Sequence, residues 1–215
     1  MSRAMKSFPA RAAAMLLPLL LVACGSSHDD APAIRVTDLP AGAYAVGTGD
    51  AAAPVAGKYY AAADGSRLLV LDNAAQQATA LYRRDGNAPW QRTPAVTGDT
   101  ALELSSSQAI AAGPLNPTAI AGSFVVRLAS GSAAAFSIDT KGAIAAGSTA
   151  CKLSGTVAVS SLPNVLQLTL ATAGCGDLPA QSDGYLVADT DHAPASFRLL
   201  TFGASAPFDL WAYPE

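Results

Sequence analysis

The sequence of 215 residues contains little charge, few aromatic residues, two His and only three Cys. Charged residues make up 13% of the chain. This excludes a disordered polyelectrolyte, because such chains combine high net charge with few apolar residues. A formal net charge of −3 also argues against nucleic acid as a partner, since neutralising phosphates requires clustered Lys and Arg.

Long hydrophobic runs are absent as well. The apolar segment Ala12–Val22 is interrupted by Pro18, and it is shorter than the roughly 20 residues that a membrane-spanning helix needs. It follows the basic residues Arg3, Lys6 and Arg11. A basic start followed by about 7–15 apolar residues is typical of a secretory signal. The first residues therefore predict an exported protein.

The apolar segment ends in Leu21-Val22-Ala23-Cys24. This resembles the lipobox of bacterial lipoproteins, in which a Leu, two smaller residues and a Cys mark the processing site. The resemblance implies cleavage between Ala23 and Cys24, and lipidation of Cys24 with diacylglycerol and a further acyl chain such as palmitate. Two or more chains hold a protein stably on a bilayer, whereas one gives only marginal binding. The membrane, reached through this anchor, is thus an expected partner.

Three segments follow from this assignment. Residues 1–23 are expected to be the lipoprotein signal peptide, and residues 24–33 a lipidated flexible tether, because Gly25–Ala33 is small and polar. Residues 34–215 are expected to form a β-rich globular domain. Gly25, rather than Asp, follows the Cys, which by the same resemblance favours the outer membrane, with the protein facing the periplasm.

Period-two alternation recurs from Ile34 onward. Its short runs are separated by Gly, Pro, Asp and Asn, which is typical of strands. About ten such strands predict an all-β fold, either an antiparallel barrel or a sandwich. Asn73–Arg84 would tolerate a helix but is assigned to a turn followed by a strand. The other strand segments are Arg67–Leu71, Thr100–Leu104, Ser123–Leu128, Ala134–Ile138, Lys152–Val159, Val165–Ala171, Tyr185–Ala188, Ser196–Phe202 and Phe208–Tyr213.

Part of the chain recurs after 65 to 67 residues, as a strand, a Gly-Ser turn, a second strand and an Asp turn. Such features are common in β proteins, so both duplication of two halves and coincidence stay open. The matching segments are Ala56–Tyr59 with Ala121–Phe124, Gly65-Ser66 with Gly131-Ser132, and Asp72-Asn73 with Asp139-Thr140. In the C-terminal half, a second pattern resembles exported, poorly characterised, β-rich proteobacterial lipoproteins, and this resemblance implies no activity. It consists of Phe136–Gly142, Cys151–Thr156, Asn164 and Cys175.

Cys151 and Cys175 are the two cysteines that remain beside Cys24. An even pair in an oxidising compartment predicts a disulfide. The midpoint of the pair lies in the turn sequence Ser161–Asn164, so the bond is expected to cross an antiparallel hairpin, where strand spacing suits a disulfide.

The hydrophobic pattern fixes the register of this hairpin. A ladder aligned on the two cysteines would set Val157 opposite Thr169, an apolar against a polar residue, which a half-buried sheet disfavours. A shift by one residue sets Val157 opposite Leu168. The shifted ladder and the disulfide are compatible if one extra residue precedes Cys175, and Gly174 is predicted to be that bulge.

Catalytic patterns are missing from the sequence. It contains no nucleophile elbow, phosphate loop or dinucleotide fingerprint, so no catalytic residue, cofactor or metal is predicted. His28 falls in the tether. Asp189, Asp191 and His192 form an Asp-x-Asp-His turn, which lacks further ligands at fixed spacing and is interpreted as a turn. Arg83–Gly86 is interpreted as a solvated hairpin tip.

The chain ends in a strand with large aromatic residues. Trp211 and Tyr213 share one face with Asp209, while Phe208 and Leu210 share the other. Such residues most often complete a core. If both faces are half exposed, they are expected to line a ligand pocket or a partner groove.

Three functions stay open. The preferred one is a non-enzymatic, lipid-anchored lipoprotein of the cell envelope that binds an envelope protein or a small molecule, or has a structural role. The second is a lipocalin-like carrier of a small apolar ligand, although the usual Gly-x-Trp is replaced by Gly57-Lys58-Tyr59 and Gly122-Ser123-Phe124. The third is a proteinaceous hydrolase inhibitor. An empty barrel interior would favour the carrier, and a solid core with a protruding loop the inhibitor.

Overall fold

Two antiparallel β-assemblies follow one another along the chain in the computed structural model, which describes residues 32–50, 52–203 and 205–215. Cys24, the cleavage site, His28 and most of the tether lie outside these described residues. Eight strands precede the 3₁₀ helix Pro117–Ile120 and eight follow it. The first eight are β1 (Ile34–Val36), β2 (Gly42–Thr48), β3 (Val55–Ala61), β4 (Arg67–Asp72), β5 (Ala78–Arg84), β6 (Gln91–Thr93), β7 (Thr100–Leu102) and β8 (Leu104–Ile110).

The second eight strands close into a barrel in which each strand pairs with the next and β16 returns to β9. The antiparallel pairing confirms the predicted all-β fold, and of the two predicted architectures, barrel and sandwich, this half of the chain forms the barrel. Its interior is filled by apolar side chains, among them the rings of Phe124, Phe136 and Phe197, whose centroids lie 4.6–6.5 Å apart. The strands are β9 (Gly122–Arg127), β10 (Ala133–Ile138), β11 (Ala143–Ala146), β12 (Lys152–Val159), β13 (Val165–Ala173), β14 (Gln181–Val187), β15 (Phe197–Thr201) and β16 (Phe208–Pro214).

The first strands form a six-stranded sheet in the order β6-β5-β4-β3-β2-β8, and β1 and β7 add a parallel pair. One face of the sheet packs on the outside of the barrel, where Tyr60 and Leu68 share a buried cluster with Val165 and Leu200. The other face covers a separate core that includes Leu69. Burial on both faces explains why β4 is a continuous apolar run rather than an alternating one.

Two hairpins repeat with the same geometry 66 residues apart. Each first turn is closed by the same two backbone hydrogen bonds, with Gly65 or Gly131 at positive φ. Each second turn is held by one side chain, Asn73 or Asp139, that accepts two backbone N–H groups. The sequence comparison aligned Asp72 with Asp139. The structure shifts that match to Asn73, because the position that accepts the turn hydrogen bonds is the equivalent one.

The predicted disulfide is present, and it closes the open end of the β12–β13 hairpin, one residue before β12 and two residues after β13. Cys151 and Cys175 are bonded with Cα atoms 4.5 Å apart. The ladder pairs Val157 with Leu168 and continues in that register to Lys152 and Ala173. Cys151 would therefore face Gly174, and Gly174 instead takes a φ of +67°. The register shift is confirmed, and the extra residue before Cys175 is Gly174, as predicted, just beyond the end of the ladder.

β8, most of which the sequence pattern did not predict, has no alternation of buried and exposed residues. The single strand predicted over Thr100–Leu104 is divided in the structure: it covers β7 and the first residue of β8, and β8 then continues to Ile110. Its residues Ser105 to Ala109 are all exposed, so no buried face imposes a period of two. Asn73–Arg84 is a turn followed by β5, as predicted. In the described residues the structure has sixteen strands rather than about ten.

Asn164 connects the segment after β8 to the barrel. Its side-chain Nδ2 donates to the carbonyl of Ala111 at 2.7 Å, and its Oδ1 accepts from the N–H of Gly113 at 3.0 Å. The backbone N–H of Asn164 donates to Gly113 at 2.8 Å. Asn164 has a φ of +60°, a conformation that Asn tolerates better than most residues. One residue thus fixes both a tight turn and the chain between the two assemblies.

Two substitutions separate these roles. Asn164→Gly keeps the positive φ but removes both side-chain hydrogen bonds, so we expect the free energy of unfolding to fall by about 1–2 kcal/mol. Asn164→Ala also strains the backbone and should lose about 1–2 kcal/mol more. Urea unfolding of the three proteins measures both differences. A Gly variant as stable as the wild type would show that the side-chain hydrogen bonds contribute nothing.

Candidate functional site

A buried ionic cluster lies where the six-stranded sheet meets the barrel. Arg198 on β15 has a side chain only 2% exposed. Its guanidinium donates to Asp72, at the end of β4, at 2.8 Å, and to Asp209 on β16 at 3.1 Å. Asp209 also accepts from the backbone N–H of Ala78 at 2.8 Å. Burial alone would lower the pKa of Arg198, but the two carboxylates raise it above its usual value, so Arg198 stays charged.

Trp211 and His192 extend this cluster toward the surface. The guanidinium of Arg198 lies 4.6 Å from the centre of the Trp211 ring, a cation–π contact. The His192 ring stacks on Trp211 with centroids 4.4 Å apart, and its Nδ1 is hydrogen-bonded to the side chain of Gln76. His192 therefore connects the barrel to the turn after β4.

The two carboxylates of the Asp-x-Asp-His turn form ion pairs with a lysine side chain, that of Lys58. Nζ of Lys58 on β3 lies 3.7 Å from Asp189 and also pairs with Asp191. Within the part of the chain that the structure describes, no group of three or more His, Cys, Asp or Glu side chains could hold a metal ion. No local pattern indicates these contacts of Lys58 and Arg198, because Asp191 lies 133 positions from Lys58 and Asp72 lies 126 positions from Arg198.

A groove of about 450 Å³ lies next to the ionic cluster, at one end of the barrel. Its walls include the end of β9 with the following turn, residues 127–130, and the segment from Pro207 to Trp211 at the start of β16. Ala75, Gln77 and Ala78 around the start of β5 and residues 175–178 after β13 also contribute to the lining. The β9–β16 ladder runs from Phe124 paired with Pro214 to Val126 paired with Ala212 and then ends. The groove therefore lies beside the point where β9 and β16 stop pairing.

Half-buried aromatic residues line this groove. The sequence hypothesis required both faces of the last strand to be half exposed, and this holds for the Trp211 face only, because Leu210 and Ala212 on the other face are buried in the barrel core. Phe208, Trp211 and Tyr213 are all of intermediate exposure and all border it. Arg127 and Asp177, both exposed, place one charge of each sign at its rim. The site combines apolar surface with a few polar groups, which is the usual composition of a binding site.

The groove reaches the mouth of the barrel without entering a hollow interior. Leu128 and Leu210 belong to the buried barrel core and also line the groove. Among the described residues, the space between the barrel walls is occupied by the same apolar cluster. Any ligand of this site would therefore lie at the barrel end and against the outer face of β16.

The Arg83–Gly86 segment differs from the solvated tip that the sequence suggested. Arg84 donates to Asp38 at 2.7 Å, and Arg67 donates to the other oxygen of the same carboxylate at 2.7 Å. Tyr59 donates its hydroxyl to Asp38 at 3.2 Å. The Arg83 guanidinium lies 4.3 Å from the centre of the Phe202 ring. Arg83 and Arg84 are engaged because β5 places them beside Phe202 and Asp38, which are distant in sequence.

Asp38 gives this cluster a dependence on pH. Burial alone would raise its pKa, but hydrogen bonds from Arg84 and Arg67 hold the pKa below the usual 3.8. Its stabilising contribution is therefore complete above the unfolded pKa and is lost as the pH falls through the lower folded value. We expect Asp38→Asn to be less stable than the wild type near pH 7, and the difference to vanish in acid. Unfolding at a series of pH values tests this, and a difference independent of pH would contradict it.

Comparisons of the chain with protein-family models, with curated proteins and with solved structures gave no match. In the described ranges, no helix has both the length and the apolar character needed to cross a membrane. The fold and the groove define a closed eight-stranded antiparallel barrel, flanked by a six-stranded sheet, with a candidate binding site at the barrel end.

Proposed function

We propose that the protein is a non-enzymatic binding lipoprotein of the cell envelope, anchored through Cys24 to the outer membrane and facing the periplasm. The groove along β16 is its binding site. The observation that carries this proposal is the end of the β9–β16 ladder at Val126 and Ala212, beside which lies a groove bordered by half-buried aromatic residues. Large aromatic side chains dominate binding energy when they are covered by a partner.

The lining of the groove supports a ligand with an apolar body and polar ends. Tyr213 and Phe208 offer ring surface, while Arg127 and Asp177 offer a cation and an anion at the rim. Asp209 and His192 are already engaged within the protein. The exposed groups at the rim are therefore suited to orienting a ligand, and the hydrogen-bonded cluster of Arg198, Asp72 and Asp209 adjoins the same groove.

Site-specific photocrosslinking in the cells that make the protein tests this proposal. A photoreactive phenylalanine analogue is placed at Phe208 or Tyr213, and at Thr140 or Lys141 as controls. The control positions are exposed and lie at the opposite end of β10 from the groove. We expect the same adduct from both groove positions and none from the controls. Equal labelling at all four positions, or no adduct at the groove, would refute the proposal.

A carrier of a small apolar ligand is a second candidate. It is supported by the closed eight-stranded barrel and by Leu128, Leu178 and Leu210 at the barrel mouth, which give the groove an apolar side. The filled interior counts against a carrier of the lipocalin type, which requires an empty one. Such a ligand would therefore bind at the mouth.

Tryptophan fluorescence distinguishes the carrier from the protein-binding function. The chain has two Trp, so Trp90→Phe leaves Trp211 in the groove as the reporter. Saturable change of Trp211 fluorescence on titration with sodium oleate would support the carrier. Unchanged Trp211 fluorescence, together with a protein adduct from the groove positions, would leave the protein-binding function. If the crosslinked protein is a hydrolase and its activity falls on binding, the lipoprotein acts as a hydrolase inhibitor.

A further inference from the structure

The two edges of the six-stranded sheet differ in how well they are protected. β6 is three residues long, carries Arg92 at its centre and is followed by Pro94. A short strand, a charge and a proline are the usual features that keep a sheet edge from pairing with another chain. β8, the opposite edge, is seven residues long. From Leu104 to Ala112 it and the residues after it contain neither a charged residue nor a proline.

The side chains of β8 leave its outer edge accessible. Ser105, Ser106, Ser107, Gln108 and Ala109 are all exposed. In the described structure β8 pairs with β2 on one side and is the last strand of its sheet. Its backbone therefore offers a row of donors and acceptors to another strand, without bulky or charged side chains in the way.

We propose that β8 pairs with β8 of a second copy of this chain, in antiparallel orientation, so that two six-stranded sheets become one. A two-fold interface brings the same strand to both sides. With Ser107 on the axis, Ser107 faces its own counterpart and Ser105 faces Ala109.

The absence of charge makes β8 compatible with a second copy of itself. A two-fold axis through a strand places central residues next to their own counterparts, so a charge there would repel itself. β8 carries none over its seven residues, whereas Arg92 in β6 would meet another Arg92. The only nearby charge, Glu103, precedes the strand and would face Ala111 of the second copy. The β8 edge is thus compatible with itself, and the β6 edge is not.

This pairing does not depend on the groove, which is built from β9, β16 and the segments beside them. The two proposals can therefore fail separately. A protein that dimerises without binding at the groove would support only this one.

Two kinds of variant of the full-length protein in detergent test the pairing. Sedimentation equilibrium should show a reversible dimer for the wild type. Ser107→Lys should raise its dissociation constant by about tenfold or more, because like charges would meet at the axis. Thr140→Lys adds the same charge at an exposed turn of the barrel and should leave the dimer unchanged.

Engineered cysteines test the strand geometry. Under mild oxidation, Ser107→Cys should form an intermolecular disulfide, while Ser105→Cys should not, because its counterparts lie several residues apart across the axis. The wild type, treated in the same way, measures the background. A monomeric wild type, a dimer that Ser107→Lys leaves intact, or equal crosslinking at both positions would overturn the proposal. So would a β8 edge that pairs only with a different protein.

Discussion

Arg198→Met is expected to lower the free energy of unfolding by about 3–5 kcal/mol, because it removes one partner of a buried ionic cluster. The substitution keeps most of the side-chain volume, so the loss reports mainly on charge. Asp72 and Asp209 would then face each other without their cation, and Asp209 is only 4% exposed at its side chain. Because the cluster joins β4 of the sheet to β15 and β16 of the barrel, the cost should appear as looser contact between the two assemblies. Urea unfolding followed by far-ultraviolet circular dichroism measures the loss in the free energy of unfolding.

Neutralising the partners is the matched control. In the triple variant Arg198→Met, Asp72→Asn and Asp209→Asn, no buried charge is left unpaired. We expect it to regain a large part of the stability that the single variant loses, since replacing a whole buried ion pair is often nearly neutral. If the triple variant is less stable than the single one by the sum of the separate effects, the lost stability comes from packing rather than from unpaired charge.

Replacing both Cys151 and Cys175 by Ser is expected to cost about 3.5 kcal/mol, the loop-closure value for a separation of this size. The bond connects residues 24 positions apart in a barrel hairpin, and it restricts the unfolded chain more than it supports the folded one. Denaturant unfolding of the double variant measures the loss. β12 and β13 should remain paired in the folded state, because the ladder between them is set by Val157 and Leu168 rather than by the bond.

Chemical reduction provides an independent control. The wild type unfolded in the presence of dithiothreitol should match the double variant to within about 1 kcal/mol, since both lack the same crosslink. A double variant as stable as the oxidised wild type would contradict the role given to the bond. If each single Cys→Ser variant loses as much free energy of unfolding as the double variant, the remaining buried thiol is tolerated.

The sequence predicted those parts of the fold that depend on local patterns. Val157, Leu168 and the cysteines determined a register and the extra residue Gly174, because a one-residue slip would have turned an apolar face toward water. The aromatic residues of β16 were correctly placed on alternating faces. Each of these inferences used only neighbouring residues and the period of a strand.

Features that depend on distant contacts could not be predicted. β8 has no buried face and hence no alternation, so its extent was missed. Arg198 and Asp72 are 126 positions apart, and the residues next to each of them contain no pattern that would predict their ion pair. The groove lies where the β9–β16 ladder ends. The alternation of apolar and polar residues along a strand does not show where its pairing with a neighbour ends. The aromatic residues were recognised, but the end of the ladder beside them was not.

The repeated hairpins give a physical reason for the resemblance between the two halves. In both, a Gly at positive φ closes the first turn and an Asn or Asp side chain holds the second. These are residues that such turns need for steric and hydrogen-bonding reasons. The repeated ladder extends the likeness beyond the turns, since Gly57 with Leu71 corresponds to Ser123 with Ser137.

Mass spectrometry of the protein from isolated envelopes tests the central proposal most directly. An anchored envelope protein requires the mature chain to begin at Cys24, with diacylglycerol on its sulfur and an acyl chain on its amino group, and to be recovered with the outer membrane. A Cys24→Ser variant should keep residues 1–23 and lose the lipid. An unmodified Cys24, or an intact chain beginning at Met1 in the soluble fraction, would contradict the account.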